Sequence, residues 1–243
     1  MPILDLNRFL QRVSAEGCIV ESYIESEFQS SPSVQCEIRP DGKLLIASSH
    51  DQLLTGTEGQ HFSGCCFPAE GPAEVQDATL LIGSRLRSEG VIGWFGVDFI
   101  VAKGGTRDRY YALEINLRSL GTVHHLMTLK TLTGGSYNPE SGSFRTERGE
   151  TRFYLGSDST IVPKAQGREV SSLLAEMAGR AWVYDASSQT GIVLHMVDAM
   201  RPHGRLGLTC IGRTPSESHA LFTQAIRDLE ATSSLIQSPR RPG

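Results

Sequence analysis

The segment GWFGVDFIVAKGGTRDRYYALEINLRSLGT, residues 93–122, constrains the fold of this chain more than any other stretch. It reads as two strands joined by a Gly-Gly loop. Phe95, Val97, Phe99 and Val101 share one face of the first strand, and Asp98 lies on the other. In the second strand Tyr111, Leu113 and Ile115 alternate with Ala112, Glu114 and Asn116. With the loop centred on Thr106, paired positions sum to 212, so Asp98 stands across from Glu114. Asn116 follows two residues on, on the same face.

Two carboxylates opposed across a hairpin repel unless something positive lies between them. A hard divalent cation resolves the conflict. Mg²⁺, or Mn²⁺ in its place, takes carboxylate and amide oxygens and keeps positions for phosphate oxygens. Arg118 follows at once in the run EINLR, a cation placed where an anionic group develops charge. The competing reading is a solvated strand face carrying two ordinary acids; the Arg118 and Gly-Thr context favours the metal–nucleotide platform.

The remainder of the chain reads as a mixture of helices and short strands. Ile3, Leu6, Leu10 and Val13 form a helical stripe stopped by Gly17. CIVESYIE follows as a short strand. Residues 33–49 are a hairpin about Pro40-Asp41-Gly42, with Val34, Cys36 and Ile38 alternating. Leu53 to Gly71 reads as a long Gly- and Ser-rich loop over a site, and 74–89 as a helix ended by Gly90. Val123 to Leu132 is a helix closed by Gly134-Gly135, and its free N–H groups lie just past Arg118, where anions are favoured.

Residues 134–150 read as a linker, and 168–178 as a helix with Val170, Leu174 and Met177 on one face. GIVLHMVDAM and RLGLTCIG read as strands, and Thr214-Pro215-Ser216-Glu217 as a capping box opening the last helix. The expected division is residues 1–140, a small C-terminal domain at 151–231, and a disordered tail at 232–243.

Composition bounds the function. Net charge is −4, which argues against nucleic acid as a partner, and no apolar run approaches a membrane span. Five cysteines without CxxC spacing suit reduced thiols and a cytoplasmic location, and the adjacent Cys65 and Cys66 read as small buried residues. His124 and His125 point in different directions on their helix, so the pair alone does not make a metal site. His195, inside an apolar strand, reads as a core histidine, and His50 as either a substrate contact or a hydrogen-bonded strand end.

The runs HDQLLTGTEGQHFSGCCFPA, GVDFIV…YYALEINLRSLGT and LMTLKTLTGG resemble the ATP-grasp superfamily, and more closely its carboxylate–amine ligases of the pheganomycin peptide ligase type. TGIVLHMVDAMRPHGRLGLTCIG is similar to the small C-terminal domain of that group. The resemblance implies an α+β fold: the C-terminal half of an ATP-grasp domain, an antiparallel sheet with helices on one face, plus a small α/β C-terminal domain. It implies ATP-dependent ligation of a carboxylate to an amine through an acyl-phosphate, on small-molecule or peptide substrates. Asp98, Glu114 and Asn116 would hold Mg²⁺ against ATP, and Arg118 would stabilise phosphoryl transfer. Val20 to Ile24 resembles the adenine hinge, with Glu21, Tyr23 and Ile24 in it, and Glu27 is the candidate for the ribose, in competition with Glu25.

One departure matters. No Lys occurs before Lys43 and no Gly-rich loop before Gly17, so half of the family's ATP clamp is missing from this sequence. The expectation is a partial ligase completed by a separate chain or by self-association, with weak nucleotide binding alone. The alternative is a non-catalytic module that has lost the clamp.

Overall fold

A computed structural model describes residues 5–26, 28–56, 61–104 and 107–231. The elements are α1 (Leu6–Glu16), β1 (Phe28–Ser30), β2 (Pro32–Ile38), β3 (Leu44–Thr55), β4 (His61–Phe67), α2 (Ala73–Ser88), β5 (Gly93–Lys103), β6 (Arg109–Asn116), α3 (Gly121–Thr133), β7 (Ser136–Asn138), β8 (Ser143–Arg145), β9 (Phe153–Ile161), α4 (Val170–Met177), β10 (Gly191–His195), α5 (Met200–His203), β11 (Arg205–Gly212) and α6 (Pro215–Ala231).

All the strands except β7 and β8 form one antiparallel sheet. Its order runs β5, β2, β3, β4, β9, β11, β10, with β6 on the far side of β5 and β1 continuing the line of β2 along β5. The hydrophobic pattern fixes which face each strand buries, because a one-residue slip would invert every side chain. Val34, Cys36, Ile38, Phe95, Val97, Phe99 and Val101 meet Val75, Ala78 and Ile82 of α2. On the same side, farther along the sheet, Leu155, Leu208 and Cys210 meet Ala225 and Leu229 of α6. Beyond this expected layer of helices, α3 and the β7–β8 hairpin cover part of the opposite face. There Leu126, Leu129 and Phe144 pack on Cys65, Phe67, Tyr154 and Ile211.

The sequence expectations need several corrections. Residues 53–71 are not a long loop: β3 runs on to Thr55, and β4 takes His61–Phe67 and pairs with both β3 and β9. Its Ser-Gly content suits close packing, since a Cβ on Gly64 would lie 2.2 Å from the Gly156 carbonyl oxygen. Residues 57–60 lie outside the described residues. Residues 134–150 are not a plain linker, because β7 and β8 pair and Phe144 is fully buried. The edge after residue 150 is no break in the sheet, as β9 joins β4 directly.

CIVESYIE is not a strand. Residues 17–26 have no regular structure, and Ile19 and Val20 are each 88% exposed, because no described strand edge forms a ladder with them. The stripe of α1 forms a helix capped by Asp5 and Gly17, yet none of its described residues is buried. Ile3 lies outside the described residues, as do Glu27 and 232–243. In α4 it is Leu173 and Met177 that turn inward, while Leu174 stays 49% exposed. The strand expected through Met200 stops at His195, and Met196 takes a left-handed conformation that opens a 3-10 turn. Thr214 Oγ1 accepts from Glu217 N at 3.0 Å, and the Glu217 carboxylate accepts from Arg213 N at 2.6 Å, the expected box displaced by one residue at its return bond. Among the described residues no helix is long and apolar enough to cross a membrane.

Candidate functional site

Strands β5 and β6 pair Asp98 with Glu114, Val97 with Ile115 and Gly96 with Asn116. The register slips beyond Asp98, where Phe99 pairs with Ala112, so Leu113 is an extra residue and the alternation does not continue through it. The irregularity sits directly beside the two carboxylates. Glu114 is exposed on the edge strand, while Asp98 and Asn116 are half-buried.

The Asp98 carboxylate is held in place. Gln52 Nε2 donates to Oδ1 at 2.9 Å and Asn116 Nδ2 donates to Oδ2 at 3.2 Å. Ser33 stands opposite Asp98 on β2 and hydrogen-bonds it as well. Burial, followed by the Glu114 charge, pushes the Asp98 carboxyl above its ordinary value, against the hydrogen bonds and the Arg118 charge. Arg118 is exposed on the connection from β6 to α3. Gly96 leaves room for that connection, since a Cβ there would lie 2.5 Å from Leu120 Cδ1.

The donor set fits a hard cation: two carboxylates facing each other, with one amide beside them. The fit requires Asn116 to turn its oxygen where the nitrogen now stands, a rotation that exchanges nearly isosteric groups. Asp98, Glu114, Asn116 and Arg118 therefore gather on one polar edge of the sheet. The hinge candidates Glu21 and Tyr23 are exposed in the irregular segment, and Ile24 is half-buried with its carbonyl accepting from Gln29 Nε2 at 2.6 Å. Glu27 lies outside the described residues.

His50 faces the interior, not a substrate. It is fully buried, hydrogen-bonded to the Tyr154 hydroxyl and packed against Phe67. Burial, with a smaller contribution from His125, pushes it down to about 3. Cys65 is buried as expected, whereas Cys66 is partly exposed with Sγ 3.5 Å from His219 Nε2. All five cysteines are free.

A second group was not legible in the sequence. His195 is a largely buried, hydrogen-bonded histidine, as read, and its partner is an acid shared with a second imidazole: Nε2 lies 2.7 Å from Asp158 Oδ1. His125 Nε2 approaches the same oxygen at 3.3 Å. His124 and His125 do diverge, the first exposed and the second buried, and the partners of His125 come from β9 and β10. Burial raises the Asp158 carboxyl, but the two imidazoles outweigh it and hold the group below its ordinary value. The only sequence signal was a set of scattered residues, 125, 158 and 195, which the sheet order unites.

A family model described as IQCH-like, ATP-grasp matches residues 5–140, and one described as PGM1 C-terminal domain matches 178–221. The chain is 32% identical over 228 residues to the L-propargylglycine--L-glutamate ligase of Streptantibioticus cattleyicolor, covering 92% of this chain and 45% of that protein. It is 21% identical over 243 residues to IQ motif-containing protein H of Danio rerio, covering 97% of this chain and 22% of that protein. The chain thus spans less than half the length of these two relatives. The N5-carboxyaminoimidazole synthetase from Staphylococcus aureus complexed with ADP shares the fold, with a TM-score of 0.55 at 12% identity over 94% of this chain and 57% of that one. The phosphoribosylaminoimidazole carboxylase ATPase subunit from Aquifex aeolicus gives 0.54 at 14% identity, over 86% and 58%.

Proposed function

Since the chain belongs to the IQCH-like ATP-grasp family, we propose that it is the metal- and phosphate-holding portion of an ATP-dependent carboxylate–amine ligase. The observation that carries this reading is the half-buried Asp98 carboxylate, anchored by Gln52 and Asn116 and set against Glu114. The like charges cost stability, and a bound divalent cation relieves that cost.

Asp98, Glu114 and Asn116 would hold Mg²⁺ or Mn²⁺, which when bound neutralises phosphate charge. The Arg118 guanidinium would face the oxygen charge that grows as the γ-phosphoryl group leaves ADP for a substrate carboxylate. The amine then attacks the carbonyl carbon of the acyl-phosphate, phosphate departs with the C–O bonding pair, and the amine proton is lost. The backbone N–H groups opening α3, immediately after Arg118, favour the same anions. Gln52 and Ser33 orient Asp98. Glu21, Tyr23, Ile24 and Glu27 are assigned to the adenosine.

The division into residues 1–140 and 151–231 is kept as two functional parts sharing one sheet. The exposed Ile19 and Val20, with the uncovered stripe on α1, favour further protein surface around the nucleotide, from a separate chain or a second copy. Free cysteines suit a cytoplasmic setting.

Calorimetric titration of Mg·ADP into the purified chain, beside Glu114→Ala and Asn116→Ala, tests the reading. Mg²⁺-dependent heat that both substitutions abolish is the expected result. Heat of equal size in both variants removes the hairpin from the site.

A further inference from the structure

Two imidazoles and one carboxylate converge from three separate elements: His125 from α3, Asp158 from β9 and His195 from β10. Their candidate ligand atoms all lie within 4.8 Å of one another. We propose that these three side chains form a binding site for a zinc-class divalent transition-metal ion, separate in its ligands from the Asp98 group.

Geometry supports it first. Metal–nitrogen and metal–oxygen bonds of about 2.0–2.2 Å at tetrahedral angles place neighbouring ligand atoms about 3.3 Å apart. Asp158 Oδ1 stands 3.3 Å from His125 Nε2 and 2.7 Å from His195 Nε2. Small rotations bring all three donors to bonding distance of one ion. Both imidazoles face the one Asp158 oxygen, but the His125 contact at 3.3 Å falls outside hydrogen-bond geometry although the ring is fully buried. An ion between the three donors would give that buried nitrogen a well-formed bond.

The backbone is shaped around the two rings. A Cβ on Gly156 would lie 2.6 Å from Cγ and Cδ2 of His125, and a Cβ on Gly207 would lie 2.1 Å from Nε2 of His195. Glycine weakens a strand interior, and its place here is where another group must approach the backbone closely. The outer partners are also in place. His125 Nδ1 lies 2.7 Å from Thr209 Oγ1, which fixes the ring and turns Nε2 toward Asp158.

Nitrogen donors select the ion. Two imidazoles with one carboxylate suit zinc, cobalt or nickel, whereas the all-oxygen group at Asp98 suits Mg²⁺. Asp158 is 28% exposed, so the site is reachable from solvent, and three protein ligands leave a fourth position open. Exposed His124 borders it, with its ring 4.5 Å from that of His195. The Leu120–Gly121 step links the two groups in space: Leu120 rests on Gly96, and Gly121 abuts the Asp158 carboxylate.

The test uses the full chain stripped with chelator and titrated with Co²⁺ under excess Mg²⁺, which fills oxygen sites. Visible d–d absorption saturating at one equivalent, and bleached by Zn²⁺, is expected. The isosteric Asp158→Asn and the shorter His195→Gln should each weaken Co²⁺ binding at least tenfold, with folding checked by circular dichroism. Thr209→Val should weaken it roughly 10–100-fold, as loss of an outer partner does. Glu114→Ala should leave the spectrum unchanged while losing the Mg·ADP heat, so the two readings fail separately. A folded wild-type chain without the band, a band that survives in His195→Gln, or one lost in Glu114→Ala overturns the proposal.

Discussion

Replacing Gly156 by Ala isolates the role of the glycine cradle under His125. Gly156 lies within β9 between Cys65 of β4 and Thr209 of β11, and its φ is not positive, so alanine fits the backbone. The difficulty is space. The new Cβ would stand 2.6 Å from two ring carbons, where carbon contacts settle at about 3.5–4.0 Å, so the ring must retreat by about an ångström. It has no slack: His125 is fully buried, tied through Nδ1 to Thr209 and packed beside Tyr154 and His195. Overpacking of this kind costs about 1–3 kcal/mol, and strain on the Thr209 bond adds up to about 1 kcal/mol. Lower unfolded-state entropy returns about 0.4–1 kcal/mol. Midpoints of these ranges give a net loss of about 2 kcal/mol, a fall of about 4–8 °C in Tm for a chain of this size. Thermal unfolding followed by circular dichroism reads it. The double variant Gly156→Ala/His125→Ala should be more stable than the sum of its single changes by at least about 1 kcal/mol, because removing the ring frees the space. An unchanged or raised Tm in Gly156→Ala, or strict additivity in the cycle, refutes the cradle.

Three further outcomes are expected. Asp98 is raised, so its contribution to stability is present below the unfolded pKa and is lost as pH rises through the folded one. Asp98→Asn should therefore leave the metal-free protein at pH 7 as stable or up to about 1 kcal/mol more stable, while Mg·ADP heat disappears; a marked loss of Tm would contradict the repulsion argument. His50 sits at about 3 in the fold, so the unfolded chain takes up the proton first and stability falls as pH drops from 6.5 toward 3, by up to about 5 kcal/mol. Urea midpoints between pH 7 and 4 should decline less steeply in His50→Gln, and parallel declines would speak against it. Phe144→Ala should cost about 3–5 kcal/mol in a denaturant titration, since the ring is fully buried against Phe67; an effect below about 1 kcal/mol would return residues 134–150 to a surface linker.

What the sequence determined by itself was local and periodic. Alternation over 93–101 placed Phe95, Val97 and Phe99 in the core, because a strand has a period of two. Hairpin arithmetic set Asp98 against Glu114, but the pairs nearer the loop are one residue out of that register, and it is the Leu113 bulge that brings the two carboxylates opposite each other. Helices α2, α3 and α6 were legible from local signals: the stripe and Gly90 stop of α2, the Gly134-Gly135 close of α3 and the Thr214 box of α6. Short-range pattern failed where neighbours decide. The Ser- and Gly-rich stretch after Leu53 became β4 because β3 and β9 pair with it on both sides, and CIVESYIE stayed irregular because no strand among the described residues forms a ladder with it. The His125–Asp158–His195 group depends on the order β4, β9, β11, β10 and on α3 lying across the opposite face. That order is a balance of long-range pairing and burial among segments distant in the chain, so no spacing in the sequence encodes it, and the tertiary structure alone brings the three side chains to one point.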